Sequence, residues 1–172
     1  NGTSWSTQAS GVSNNLFSVS AFDANNVWAA GDSGIILKYN GTSWSSQASG
    51  TIGDLLGTYA LDANNVWAVG AGVVLKYNGT VWSTQEGGDT SYLSSIYALD
   101  AQNVWAVGSG GVVLKYNGAV WSTQESNSND DFSGVIAFNT NNVWVVGMAG
   151  FYKYNGTSWS LQASATDKVF SS

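Results

Sequence analysis

Residues 62–82 read Asp-Ala-Asn-Asn-Val-Trp-Ala-Val-Gly-Ala-Gly-Val-Val-Leu-Lys-Tyr-Asn-Gly-Thr-Val-Trp, and variants of this stretch occur four times in the 172-residue chain. The Asn-Gly pair recurs in steps of 39, 38, 39 and 38 residues, each time with a tryptophan three residues after the glycine. The four remaining tryptophans all follow Asn-Val, so all nine belong to the repeat. A fixed period of this length predicts an array of similar structural units. The repeated positions are Asn1, Asn40, Asn78, Asn117 and Asn155, Trp5, Trp44, Trp82, Trp121 and Trp159, and Trp28, Trp67, Trp105 and Trp144.

Each unit predicts four short β-strands, A to D. β-Branched and aromatic residues fill the strands, glycine and asparagine separate them, and no window has a helical period. The Asn-Gly between strands C and D is typical of a two-residue hairpin with a type I′ turn, in which both residues have positive φ. In the first complete unit the predicted strands are residues 16–22, 27–30, 35–39 and 42–47.

Strands B and C are apolar on both faces, which a sheet with one wet face does not tolerate. Each small sheet is therefore predicted to pack between two neighbouring sheets. Tandem antiparallel sheets of about 40 residues, buried on both faces, are the blades of a β-propeller. The alternative, a β-solenoid, lacks the hairpin found in every unit. We predict one all-β domain over residues 1–172, with four complete blades at about 16–47, 55–85, 93–124 and 132–162 and partial flanking strands at 1–8 and 170–172.

The units share the pattern Leu, Asp-Ala-Asn-Asn-Val-Trp-Ala-Val-Gly, Gly, Leu-Lys-Tyr-Asn-Gly-Thr-Ser-Trp over nearly the whole chain. This pattern resembles the repeat of Asp-box (BNR) propellers, especially that of the photosystem II stability and assembly factor family and its secreted bacterial relatives. The resemblance implies a propeller from a secreted bacterial protein. At the Asp-box turn the family's Asp-Gly-Gly-x-Thr-Trp is here the shorter Asn-Gly-Thr-x-Trp of residues 40–44. The arginine triad of Asp-box sialidases and the arginine-rich patch of the assembly factors are both missing, because the chain has no arginine.

Composition excludes several functions. The chain has 5 lysines against 11 acidic residues and a net charge of −6, whereas nucleic-acid binding needs a basic surface. It has no histidine and no cysteine, so imidazole or thiol catalysis and zinc sites are excluded, and no metal or other cofactor is expected. No apolar run approaches the length of a membrane-spanning helix, so membrane insertion is not expected.

The connections between strands fall into two classes. The A–B and C–D turns barely change between units, whereas the D–A loops change in content and the B–C loops in content and length. In an antiparallel meander the D–A and B–C loops lie at one edge of a blade, here the loop edge, and both kinds of turn at the other, the hairpin edge. The loop edge has eight carboxylates against Lys168, a balance of −7. The hairpin edge has one lysine in each unit against Asp23, Asp62 and Asp100, a balance of +1, which predicts ion pairs between turns.

The loop edge is the predicted binding surface. Loops that differ suit the recognition of an asymmetric partner, and the negative charge suits a protein with a basic patch. Residues 126–131 offer oxygen ligands for Ca²⁺ without an EF-hand spacing, which favours a solvated acidic loop. Asp130 with Glu125 or Asp89 would suit a glycosidase carboxylate pair, but loops that differ in every copy favour no enzyme activity. The predicted binding residues are Asp32, Asp54, Glu86, Asp89, Glu125, Asn127, Asn129, Asp130 and Asp131.

The tryptophans allow a second interpretation, in which exposed rings stack against sugars. Large aromatic residues most often fill buried interfaces, so the strand B tryptophans are predicted to pack between blades. The strand D tryptophans lie on half-exposed strands, so packing is favoured there and sugar stacking stays open as the alternative. A lectin-type propeller with one aromatic carbohydrate site per blade is therefore the alternative function. Asn-Gly-Thr at residues 1, 40, 78 and 155 is also a glycosylation signal, but its place in a tight turn predicts a hairpin first.

These observations predict a non-catalytic binding or scaffold module of a secreted or cell-surface bacterial protein. The chain begins and ends within a repeat unit, which predicts a fragment of a longer propeller. Terminal units of a repeat array expose apolar faces that need a cover. Missing repeats would supply that cover, or homo-oligomerisation would, as in an eight-bladed ring of two chains.

Overall fold

The computed structural model describes Thr3, Ser4 and residues 6–164, which form an all-β structure. Its strands make four antiparallel sheets of four strands, each sheet in chain order. The sheets coincide with the four repeat units, so the predicted propeller blades are confirmed. We number them I to IV. Over the residues described, helix is limited to two 3₁₀ turns, Asp32–Gly34 and Ser109–Gly111.

The strand bounds follow the repeat. Blade I consists of β1 (Leu16–Asp23), β2 (Asn26–Gly31), β3 (Ile36–Tyr39) and β4 (Trp44–Gln47), and blade II of β5 (Leu55–Asp62), β6 (Asn65–Gly70), β7 (Val73–Tyr77) and β8 (Trp82–Thr84). Blade III consists of β9 (Leu93–Asp100), β10 (Asn103–Gly108), β11 (Val113–Tyr116) and β12 (Trp121–Gln124), and blade IV of β13 (Phe132–Asn139), β14 (Asn142–Gly147), β15 (Gly150–Tyr154) and β16 (Trp159–Ser164). Residues 6–8, predicted as part of a flanking strand, lie outside any strand, and the strand predicted at 170–172 lies outside the described residues.

The first strand of each blade faces the inside of the array. Here β1 packs against β5, β5 against β9, and β9 against β13. Serine hydroxyls link blades I and II, because Ser18 Oγ accepts the Thr58 N–H at 3.0 Å and Ser20 Oγ accepts the Ala60 N–H at 2.9 Å. The blades therefore follow one another in chain order around the inner strands.

The apolar core lies between the blades. We call the face of a blade that is turned towards the preceding blade its leading face, and the opposite face its trailing face. Trp28, Trp67 and Trp105 of strand B project from trailing faces, and each is at most 1% exposed. The prediction that these rings pack between blades is confirmed. In the interface of blades II and III, burial and the adjacent Tyr97 hydroxyl together raise the pKa of Tyr59 to about 12, and burial has the larger effect.

A lysine joins each pair of blades through aromatic rings. Lys76 Nζ lies 5.3 Å from the ring centroid of Trp67 in its own blade and 5.3 Å from that of Tyr116 in the next blade. Lys38 and Lys115 repeat this arrangement. We call each Trp–Lys–Tyr group an aromatic clamp, held by cation–π attraction. The predicted ion pairs between turns are wrong, because in the described part of the chain these ammonium groups lie over rings and no lysine pairs with an aspartate.

The C–D hairpin is not the predicted two-residue type I′ turn. Tyr39 pairs with Trp44, so four residues, 40–43, form the loop, and only Gly41 among them has positive φ (92°). The Asn40 side chain explains the difference. Its Oδ1 accepts hydrogen bonds from the N–H groups two and three residues further on, both at 2.9 Å, which closes the loop as an Asx turn. The same pair of bonds occurs at Asn78, Asn117 and Asn155.

The A–B turn is closed in a similar way by its first residue. Asp23 Oδ1 accepts the Asn25 N–H at 2.7 Å, and Asn26 Nδ2 donates to both carboxylate oxygens at 3.0 Å. The hydrogen bonds from Asn25 and Asn26 hold the pKa of Asp23 below its ordinary value. At Asp100 burial acts to raise the pKa, but the bonds of the same turn outweigh it and the pKa is again lowered. The turns of the hairpin edge are thus self-contained.

Candidate functional site

The D–A and B–C loops meet at one edge of the molecule, as predicted. In blade I the Asp32 N–H donates to the Asn15 carbonyl at 3.0 Å, and in blade II the Ala71 N–H donates to the Asp54 carbonyl at 3.0 Å. The first residue of the B–C loop is therefore bonded to the last residue before strand A. These bonds hold the D–A and B–C loops together at the loop edge.

The glycine that ends strand B is required by this contact. A Cβ at Gly70 would lie 1.8 Å from the Asp54 carbonyl oxygen, and one at Gly31 or Gly108 would lie 1.9 or 1.8 Å from the corresponding oxygen. No side chain fits at such a distance in a closely packed structure. The glycine recurs in every unit, but sequence spacing alone does not reveal this role.

Two predicted binding residues, Asp54 and Asp131, hold loops of the preceding blade. Asp54 Oδ1 accepts the Ser33 N–H at 2.9 Å, and Asp131 Oδ1 accepts the Gly110 N–H at 2.9 Å. Both donors lie in the 3₁₀ turns and have left-handed φ values of 54° and 66°. Blade II has a shorter B–C loop than blades I and III. In the blade that follows it, Tyr92 stands at the position that corresponds to Asp54 and Asp131. Loop length and the aspartate therefore vary together, which is the sequence signal for this structural role.

Asp32 and Asp130 are engaged as well. Asp32 Oδ2 accepts hydrogen bonds from the backbone N–H and the side-chain Nδ2 of Asn15, at 3.2 and 2.7 Å. Asp130 Oδ2 accepts the Ala149 N–H at 2.9 Å. Four of the nine predicted binding residues thus direct carboxylate oxygens at groups 17–21 residues away in the chain.

The loop edge also has a polar pocket of about 440 Å³, which collects four other predicted residues: Asp89, Glu125, Asn127 and Asn129. The side chains of Glu125, Asn127 and Asn129 are exposed and make no hydrogen bond within the described part of the chain. Asn127 has left-handed backbone (φ 55°), which asparagine tolerates better than most residues. The pocket therefore combines unpartnered polar groups with backbone held in a specific turn.

Asp89 supplies a carboxylate to this pocket. The Ser91 hydroxyl and N–H both donate to Asp89 Oδ1, at 2.5 and 2.9 Å, and they hold the pKa of Asp89 below its ordinary value. The Asp89 N–H donates to Thr123 Oγ1 at 3.2 Å, which anchors the loop on β12. Glu86, predicted with this group, is exposed but does not line the pocket.

The strand D tryptophans differ between blades. Trp44 and Trp82 are half-buried and border grooves of about 480 and 350 Å³. Trp121 and Trp159 are only 4% and 6% exposed. A Cβ at Gly87 would lie 2.6 Å from the Trp121 carbonyl oxygen, so the loop before blade III rests on β12 at this residue. Accessible rings of this class are therefore found in blades I and II.

Over Thr3, Ser4 and residues 6–164, no three histidine, cysteine, aspartate or glutamate side chains are grouped so that they could hold a metal ion. The same residues contain no helix that is long and apolar enough to span a membrane.

No model of a known protein family matches the chain, and no curated protein sequence matches it. Solved structures do match. YCF48 bound to D1 peptide superposes on 93% of this chain with a TM-score of 0.67 and 17% identity. The extracellular domain of a protein of the hybrid two-component type from B. thetaiotaomicron matches 87% of it with a TM-score of 0.69 and 10% identity. An ancestral GH74 enzyme matches 95% of it with a TM-score of 0.68 and 20% identity.

These likenesses concern the fold, and they place the chain among β-propeller modules. The chain spans 57% of the YCF48 chain, 25% of the chain of the extracellular domain and 26% of the GH74 enzyme chain. One match carries a bound peptide and another is an enzyme. The shared fold therefore assigns no activity by itself, and the site has to be argued from its own residues.

Proposed function

We propose that the chain is a non-catalytic binding module that holds a protein partner through its loop edge, in a secreted or cell-surface bacterial protein. The observation that carries the proposal is the pocket of about 440 Å³ in which Asp89 and Glu125 meet the unpartnered amides of Asn127 and Asn129. Two carboxylates and two amides suit a lysine or arginine side chain, which donates several hydrogen bonds and carries a positive charge.

Four further observations support this assignment. The loops at this edge differ in every unit, and the edge has most of the negative charge of the chain. A structure of the same fold, YCF48, binds a peptide, and another is an extracellular domain. The proposal narrows the predicted binding surface, because Asp32, Asp54, Asp130 and Asp131 bond to other segments of the loop edge. Among the remaining residues, the Asp89 carboxylate bonds only to Ser91 in the part of the chain that the structure describes, within its own loop.

Binding of a fluorescent lysine-rich peptide tests the proposal, with a glutamate-rich peptide for comparison. Affinity for the lysine-rich peptide should fall as salt rises, because exposed charges are screened beyond about 8 Å at physiological ionic strength. Asp89→Asn combined with Glu125→Gln should weaken binding about ten-fold.

The matched control is Asp23→Asn combined with Asp62→Asn, which removes the same charge from the hairpin edge and keeps the acceptor oxygen of each turn. Binding in this control should be nearly unchanged. Equal losses in the two double variants would mean that net charge alone attracts the peptide, and the pocket assignment would be abandoned.

A second candidate function is carbohydrate binding, which the half-buried Trp44 and Trp82 beside their grooves favour. This proposal differs from one site per blade, because Trp121 and Trp159 are buried. A glycan array with the unmodified chain should then give binding that does not respond to salt. Trp82→Ala should remove about half of the sites, whereas the buried Trp121→Phe should leave the number of sites unchanged. A lack of any bound glycan would exclude this function.

A further inference from the structure

The two ends of the blade array carry opposite halves of the interface that joins the blades. Within the chain, three interfaces have the same construction: a trailing face provides a tryptophan and a lysine, and the next leading face provides a tyrosine. In blade IV, Lys153 Nζ lies 5.3 Å from the Trp144 ring, and no tyrosine of a following blade completes this clamp in the described part of the chain. In blade I, Tyr39 lies 5.2 Å from Trp44, and no lysine among the residues that the structure describes lies over it. Blade IV therefore has the tryptophan and lysine of a clamp, and blade I has the tyrosine. We call each of these groups a half-clamp, and the two are complementary.

The open faces are also apolar. On the leading face of blade I, Leu16 is 40% and Val19 is 67% exposed, whereas Leu55 at the position of Leu16 is fully buried. On the trailing face of blade IV, Ile136 is 44% and Phe138 is 64% exposed. This second face has an apolar groove of about 240 Å³ beside Trp144. Exposed apolar patches of this kind mark protein interaction sites.

The chain cannot pair these faces with each other. Inner strands pack side by side only in chain order, β1 with β5, β5 with β9 and β9 with β13, and β1 and β13 make no such contact. The four blades therefore form an open arc, and a cover for each end has to come from outside the described residues.

We propose that the trailing face of blade IV docks on the leading face of blade I of a second copy of this chain, head to tail. In this arrangement Lys153 of one copy lies between its own Trp144 and Tyr39 of the other copy, as Lys76 lies between Trp67 and Tyr116 within the chain. Two copies joined at both ends make a closed ring of eight blades, within the range of about four to eight found in propellers. Closure satisfies both apolar faces of each copy.

Residues 6–11 lie beside the face of blade I on which the second copy has to dock. Residues 8–11 border Tyr39 and Trp44, in the way that residues 47–50 border Tyr77 and Trp82. Residues 6–9 are exposed and outside any strand, and they repeat the sequence pattern of β16. The β16 strand of the docking copy therefore takes their place, and their displacement is part of the association.

Sedimentation velocity over a range of concentrations tests the proposal. The unmodified chain should form a species of twice its mass of 18.0 kDa at about 0.1 mM or below. Val19→Asp and Phe138→Asp change exposed residues on the two open faces, so each variant should keep its β-sheet circular dichroism and sediment as a monomer. Ile52→Asp changes an apolar loop residue that is 92% exposed outside these faces, and it should still dimerise. Lys153→Gln, which removes the cation of the half-clamp, should weaken dimerisation about five-fold.

Mixing the two monomeric variants distinguishes a head-to-tail contact from a face-to-face contact. A pair of Val19→Asp and Phe138→Asp chains has one unaltered interface, so association should return in the mixture and not in either variant alone. A monomeric unmodified chain at about 0.1 mM would overturn the proposal. Loss of the dimer in only one of the two variants would also overturn it, because it would indicate a symmetric contact between identical faces.

Discussion

The hairpin edge and the loop edge use the same polar residue types in opposite ways. At the hairpin edge, Asn40 and Asp23 bond to backbone N–H groups two or three residues away, within one turn. At the loop edge, Asp54 and Asp131 reach back to the preceding blade, over 21 residues. A turn that closes on itself can be copied unchanged, whereas a loop that bonds across blades has to match its neighbour. The difference in variability between the edges therefore has a structural cause in addition to any selection for binding.

This comparison separates two kinds of acidic residue that composition cannot distinguish. The negative charge of the loop edge includes carboxylates such as Asp54 that bond to another loop, and carboxylates such as Asp89 and Glu125 that make no bond beyond their own loop within the described residues. Only the second kind is available for recognition without a loss of contacts between loops. Substitutions at the two edges should therefore change the free energy of unfolding by different amounts. A substitution in the packing between blades serves as the reference for both.

The largest loss of stability is expected from a substitution in the core between the blades. Trp67→Ala should lower the free energy of unfolding by about 3–5 kcal/mol, because a fully buried indole and its clamp are lost. Urea unfolding measures the change. Trp144→Ala, the same change in the half-open interface of blade IV, is the control and should have a clearly smaller effect. Equal effects would mean that burial between blades does not determine the contribution of this tryptophan.

At the loop edge, Gly70→Ala should destabilise the chain by about 1–3 kcal/mol, because the added methyl group overlaps the Asp54 carbonyl oxygen. Gly50→Ala introduces a methyl group at a positive φ of 78° with nothing within 4 Å, so it reports backbone strain alone. Gly50→Ala should therefore have the smaller effect in the same denaturation experiment. A reversed order would contradict the close approach of the two loops.

At the hairpin edge, Asn78→Ala should destabilise the chain by about 1 kcal/mol, because the bonds from Thr80 and Val81 to Asn78 Oδ1 are lost. Asn78→Asp keeps the acceptor oxygen and should be closer to the unmodified chain. Thermal unfolding followed by circular dichroism compares the two. An equal loss of stability in Asn78→Ala and Asn78→Asp would mean that the side-chain acceptor oxygen does not close this turn.

The smallest expected effect is the loss of folding stability at acid pH. The pKa values of Asp23, Asp89 and Asp100 are lowered in the folded chain, so the stability they contribute is fully present above their unfolded pKa of about 4 and is lost as pH falls through the folded values. Urea unfolding at pH 7 and at pH 3 measures this loss. Asp23→Asn keeps the acceptor but does not titrate, so its stability should fall less between the two pH values. An equal fall would assign the acid response to other carboxylates.

The blades were predictable because their signals are local and repeated four times. Alternation of β-branched and aromatic residues located the strands, and apolar residues on both faces of β6 and β10 required neighbours on both sides. The type I′ turn was wrong because Asn40 acts through its side chain, which a dipeptide pattern does not reveal. The predicted ion pairs failed because the lysines reach rings of the adjacent blade.

The sequence predicted where the loop edge lies, but it did not predict which of its residues are available for binding. The meander places D–A and B–C loops together, but the partners of Asp54 and Asp131 depend on φ values in another blade. Sequence position could not separate these residues from Glu125, Asn127 and Asn129, which gather at the pocket. The covariation of the aspartate with the longer B–C loop carried that information within the chain itself.

The order of the inner strands has a consequence for how the fold opens. Because the inner strands of the described blades pack side by side in chain order, loss of structure at one end should leave the next interface intact, and stability should approach a sum over neighbouring blades. Blades II and III are covered on both sides, whereas blades I and IV are covered on one. Amide hydrogens of β6 and β10 should therefore exchange with solvent most slowly, and exchange should quicken outwards towards β2 and β14. We therefore expect the molecule to unfold as a short chain of cooperative units, beginning at its ends.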